Sequence, residues 1–155
     1  MMGRIITTLL LSFIFIIGTV SCQQEEQPIP YTVEEFDKLP ELIKTHLWEN
    51  RFHESNKVFS LGEKVYIAVN MGVKPTGGYE IAIDKVVRIM DDIPRILVDL
   101  EYINPSPQQI VERKITYPIT VISILASHVK ENTQFKFMVD DHLVGEVHEK
   151  TVLSS

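Results

Sequence analysis

The sequence has a single cysteine, Cys22, among 155 residues. With no second thiol, no disulfide can form within the chain, and a fold of this length must rest on its hydrophobic core. A basic excess is also missing: 15 Lys and Arg stand against 21 Asp and Glu, and no basic cluster occurs. Binding to nucleic acid through phosphate neutralisation needs such clusters, so that function class is excluded. The motifs of common catalysts are absent too. There is no Gly-x-Ser-x-Gly elbow, no His-Glu-x-x-His pair and no phosphate-binding glycine loop. Hydrolysis through a covalent intermediate needs a nucleophile beside a base, and the five histidines (His46, His53, His128, His142 and His148) are scattered. The expectation is a protein that is not an enzyme and holds neither metal nor cofactor.

What is present divides sharply at Cys22. Arg4 precedes a charge-free apolar run, residues 5–20, and Ser21 is a small residue at the junction. A positive start, an apolar middle and a small residue at the cut form the layout of a secretory signal. A permanent membrane span needs roughly 20 apolar residues; this run is shorter and is broken by Thr7, Thr8, Ser12 and Gly18. Thr19-Val20-Ser21-Cys22 resembles the bacterial lipobox, whose cysteine is acylated and becomes the first residue of the mature chain, although threonine replaces the usual leucine. Two or more acyl chains hold a protein stably at a bilayer. Residues 1–21 are therefore expected to be a lipoprotein signal peptide and Cys22 the site of lipidation. Loss of Arg4 takes the net charge from −6 to −7, so the lipid rather than basic charge must supply membrane attachment. Gln23 after the cysteine differs from the enteric inner-membrane retention pattern, which favours the outer membrane of the cell envelope.

Residues 22–30 read as a tether, rich in Gln and Glu with Pro28 and Pro30 and little to bury. Residues 31–155 make one domain. Thr32-Val33-Glu34-Glu35 has a capping-box pattern and predicts a helix start. Pro40 interrupts it, and Leu39, Leu42, Ile43 and Leu47 form the stripe of a second short helix. Beyond Asn50 the pattern becomes β: strands are expected over 57–60, 64–70, 79–90, 95–102, 110–116, 119–125, 135–139 and 143–147, with turns at Asp91-Asp92-Ile93-Pro94 and Asp140-Asp141-His142. The fold class is α+β, mainly antiparallel: a compact β-sandwich or barrel with two short N-terminal helices packed at one end.

The most distinctive segment is Lys74-Pro75-Thr76-Gly77-Gly78-Tyr79 between two strands. Pro75 fixes its own φ and extends Lys74, while Gly77 and Gly78 can take positive φ. Taken alone it is a tight glycine loop whose tyrosine caps the core. Thr76-Gly77-Gly78-Tyr79, Asn104-Pro105-Ser106-Pro107 and Tyr117-Pro118-Ile119-Thr120-Val121, in that order, resemble the C-terminal domain of the protease complex subunit PrcB family over residues 65–125. Members of that family are typically exported bacterial proteins, often lipoproteins. The resemblance implies a non-catalytic, predominantly β binding module that helps assemble or stabilise a protease complex, with another protein, such as a secreted or surface protease, as partner. The loop formed by Lys74, Pro75, Thr76, Gly77, Gly78 and Tyr79 is then the expected partner-binding surface. The Pro-Thr-x-Gly-Tyr-like turn is also similar to that of the chagasin-like cysteine protease inhibitors, which implies an alternative: occlusion of a protease cleft. The other two inhibitor loops are not recognisable here.

His142, Glu146 and His148 share a strand face, but His142 and His148 fall roughly 20 Å apart on a straight strand, too far for one ion. Trp48, with Phe52 four residues on, is expected to anchor the second helix to the core, the alternative being an exposed hot spot for a partner. Tyr66, Tyr102 and Tyr117 are expected as half-buried strand residues.

Overall fold

The computed structural model describes residues 25–153 except 91 and 149. The expected signal 1–21 and Cys22 lie outside the described residues. Among the described residues ten strands are assigned: β1 (Glu26–Pro28), β2 (Thr32–Glu34), β3 (Glu54–Leu61), β4 (Lys64–Met71), β5 (Glu80–Ile89), β6 (Arg95–Ile103), β7 (Ile119–Leu125), β8 (Gln134–Val139), β9 (His142–Val147) and β10 (Thr151–Val152). One α-helix, α1 (Glu41–Glu49), precedes β3. The strands make two five-stranded sheets, ordered β1-β5-β6-β8-β9 and β10-β3-β4-β7-β2.

The two sheets stack on a shared apolar interior. Val58, Val65, Ile67, Val69, Ile122 and Ile124 from one meet Ile81, Val86, Ile96, Val98, Leu100, Phe135 and Phe137 from the other. Alternation along a strand sends successive side chains to opposite faces. In β4 that rule places Val65, Ile67 and Val69 inside the sandwich, while Tyr66 and Ala68 face outwards. The outward pair is buried as well, because α1 lies across it: Leu39, Ile43 and Leu47 pack on Phe59, Tyr66, Ala68 and Val121. A strand covered on both faces reads as a continuous apolar run, which explains residues 65–69.

Several expectations are corrected. Thr32 opens no helix; Thr32–Glu34 pairs antiparallel with β7, and only a 3-10 turn, Phe36–Lys38, follows. Ser123 and Lys64 hold Glu34 within that ladder, while Glu35, the acid of the apparent capping box, pairs with Lys38 at 2.8 Å. Among the described residues there is one α-helix rather than two, and it covers an outer sheet face rather than an end. The sheets do not close into a barrel, and they are mixed, since β6 pairs parallel with β8 and β10 parallel with β3. Glu26–Pro28, expected within the tether, pairs with β5, and Ile29 is buried in the core. Finally, residues 110–116 form a loop with one isolated bridge instead of a strand. The hairpin turn does form: Asp140 and Asp141 both take positive φ, at 50° and 61°, as a two-residue type I′ turn requires.

Candidate functional site

The glycine loop lies at the end of the sandwich where β4 leaves one sheet and β5 enters the other. It is clamped by the long connection 104–118. Lys74 and Thr116 exchange backbone hydrogen bonds of 2.9 and 3.0 Å, and the Gly77 amide donates to the Glu112 carbonyl at 2.9 Å. The Thr116 hydroxyl donates to the Thr76 carbonyl at 2.7 Å. Of the two glycines only Gly78 needs its freedom, with φ +86°; a Cβ there would meet Val111 Cγ1 at 2.9 Å and Pro105 Cβ at 3.2 Å. At Gly77 a Cβ would meet Glu112 at an ordinary 3.7 Å. Pro75 is exposed, whereas Thr76, Gly77, Gly78 and Tyr79 are half-buried. The Lys74 ammonium pairs with Glu54 at 3.3 Å and stands 5.9 Å from the Tyr79 ring centre. The glycines therefore serve the packing of one loop on another.

Below this clamp, Asn70 joins the end of β4 to the turn that follows α1. Its side-chain amide, buried in the protein, donates to the carbonyls of Asn50 and His53 at 3.3 and 3.0 Å, while its oxygen accepts from the Gly72 amide at 2.8 Å. Gly72, at φ +69°, leaves room for that turn: a Cβ would sit 3.0 Å from the Glu54 nitrogen.

These bonds place residues 48–52 beside Tyr117, giving a feature the sequence reading did not assemble. The Arg51 guanidinium lies 4.1 Å from the Trp48 ring centre, 4.2 Å from that of Phe52 and 5.0 Å from that of Tyr117. Tyr117 meets Trp48 and Phe52 edge-on, at 6.3 and 5.4 Å between centroids. Trp48 and Phe52 are not core anchors: they stay 52 % and 46 % exposed. The helix stripe already fills the core contact with Leu39, Ile43 and Leu47, leaving Trp48 on the flank. Exposed Val73 and Ile115, at 50 % and 62 %, flank the Lys74–Thr116 bridge and extend the apolar area. A Trp-x-x-Arg-Phe sequence in a post-helix turn was the available signal, because aromatic residues and Arg are enriched where proteins bind one another.

The remaining candidates disperse. Tyr102 lies in a polar cleft with Glu54, Asn56 and Glu146, between β3 and β9; burial, and then the nearby Glu54 carboxylate, raise the pKa of its hydroxyl. His148 contacts Glu146 at 3.6 Å, while the His142 ring turns back to the Asp140 carbonyl. Among the described residues no three His, Cys, Asp or Glu side chains gather in a metal-binding group, and no helix is long and apolar enough to cross a membrane. Tyr66 is buried beneath α1, Tyr102 is a half-buried strand residue as expected, and Tyr117 is half-buried but lies in the connection before β7 rather than in a strand.

Fold and site together define a two-sheet β domain with a helix on one outer face and a loop-built aromatic end. Residues 65–124 match the model of the PrcB C-terminal domain family. The match runs from β4 through β7 and includes both clamped loops, while α1, Trp48 and Arg51 precede it. No curated protein and no solved structure matches the chain.

Proposed function

We propose that the chain is an exported, lipid-anchored binding module without catalytic activity, and that it attaches another protein, a secreted or surface protease, to the cell envelope. The observation that supports this most is the half-exposed cluster of Trp48, Arg51, Phe52 and Tyr117, rigidly mounted beside the clamped glycine loop. Rings and a guanidinium that already pack on one another lose little conformational freedom when a partner covers them, and such residues dominate interface energetics. The contact surface accordingly shifts from Gly77 and Gly78, which the 104–118 connection partly covers, to the aromatic cluster with Val73, Pro75 and Ile115.

Capture of the full-length lipoprotein from detergent-solubilised membranes, followed by identification of bound proteins, tests this reading. The expected result is a stoichiometric partner with a protease fold, lost on Trp48→Ala. Recovery of no stable partner across several growth conditions would overturn it. An activity assay of the captured complex separates assembly from inhibition, since an occluding inhibitor silences the protease that it binds.

A further inference from the structure

We infer that the β5–β6 turn, carrying Met90 and Ile93, rests on the bilayer that holds the acyl anchor, so that the domain stands with its aromatic end directed away from the membrane. This inference rests on the anchoring at Cys22 proposed above. Its basis is the register of β1, in which Glu26 lies opposite Ile89 and Pro28 opposite Val87. Read backwards from Pro28 to Glu26, β1 runs along β5 in the direction of Met90 and the turn. Only Gln23, Gln24 and Glu25 separate Cys22 from this paired strand. Four chain steps span at most about 14 Å, which is too short to let the domain turn over freely. The end carrying the β5–β6 turn is thereby tied to the membrane surface.

That end has the chemistry to stay there. Met90 and Ile93 are 44 % and 49 % exposed on a tight turn, where apolar side chains can enter the headgroup boundary. Glu25, Glu26 and Asp92 are exposed at the same end, so the contact is apolar and tether-driven rather than an attraction to anionic lipid. The other end lies a strand length away. Thr120 donates to the Ile81 carbonyl at 3.0 Å, which aligns the starts of β5 and β7, and the ten residues of β5 place the glycine loop and the Arg51 cluster about 30 Å from the bilayer. A protein docked on the cluster would be held at that height.

The test uses the full-length lipoprotein, in which an acylated Cys22 leaves any introduced thiol as the sole labelling site. Ile93→Cys and Ile110→Cys are labelled with an environment-sensitive fluorophore and reconstituted into phosphatidylcholine vesicles containing a lipid with a nitroxide near the headgroup. Ile110 is fully exposed on the distal connection, so both variants change surface residues. The expected result is loss of about half the emission or more at position 93 and little change at 110, as for a turn at the headgroup boundary. Adding phosphatidylglycerol should not alter it. An acylated, vesicle-bound chain whose position 93 is unquenched, or is quenched less than 110, would overturn the orientation alone. Mass spectrometry showing no acyl group on Cys22 would overturn the orientation together with the anchoring on which it depends.

Discussion

Gly78 and Val111 touch where no side chain can come between them: a Cβ on Gly78 would stand 2.9 Å from Val111 Cγ1, on a backbone with φ +86°. The glycine expected in a partner-binding loop is the floor on which a second loop is laid. Gly78→Ala should therefore lose about 2 kcal/mol of stability from left-handed strain and overlap. Gly77→Ala, with open geometry, should change stability by less than about 0.5 kcal/mol. Urea denaturation of the two variants compares them directly.

Asn70 is the polar joint beneath the same end. Replacing it by Ala removes three hydrogen bonds and leaves the Gly72 amide and two carbonyls without that partner. The expected cost is about 2–3 kcal/mol, read as a lower denaturation midpoint with an unchanged m value. Near-neutral behaviour would show that water replaces the amide without penalty.

Trp48 separates binding from folding. Its ring is half exposed, so Trp48→Ala should cost about 1 kcal/mol of stability or less, while retention of the captured protein falls tenfold or more. Arg51→Ala should act in the same direction, because the guanidinium holds the rings of Trp48, Phe52 and Tyr117 in one arrangement. Equal retention by wild type and both variants would remove the cluster from the interface.

Glu34 gives the fold an acid limit. The Ser123 hydroxyl, followed by Lys64 at 3.0 Å, lowers its pKa below the ordinary 4.5. A depressed carboxylate pKa contributes stability that is present above the unfolded value and is lost as pH falls through the folded one. The loss should begin below about pH 4.5 and, with Lys64 half exposed and screened, amount to about 1 kcal/mol or less. Lys64, raised by the same bond, sets the opposite limit: its contribution holds below the ordinary 10.5 and fades as pH rises through the raised value. Glu34→Gln should flatten both slopes in a series of thermal melts.

Cys22→Ser tests the anchor. The substituted chain should leave the membrane fraction and should lack the diacylglyceryl mass at its amino terminus. Unaltered processing and fractionation would refute lipidation at this position.

Local chemistry in the sequence determined much of the fold. Alternation over 79–90 marked β5, the two aspartates marked the hairpin turn, and the Leu39, Leu42, Ile43 and Leu47 spacing marked the face of α1, although Leu42 itself stays 53 % exposed. The three short motifs marked the family segment, because each depends on Pro or Gly geometry that operates within a few residues. What the tertiary structure decided was cover and company. Thr32–Glu34 became a strand because β7 offered it an edge, overriding a capping pattern worth only about 1 kcal/mol. Trp48 stayed outside because Leu39, Ile43 and Leu47 had already filled the contact beneath the helix. Arg51 met Tyr117, 66 positions away in the chain, because Asn70 tied the turn after α1 to the end of β4. Periodicity shows which side chains share a face, but only folding shows which face finds a neighbour, and the candidate binding surface consists of what was left uncovered.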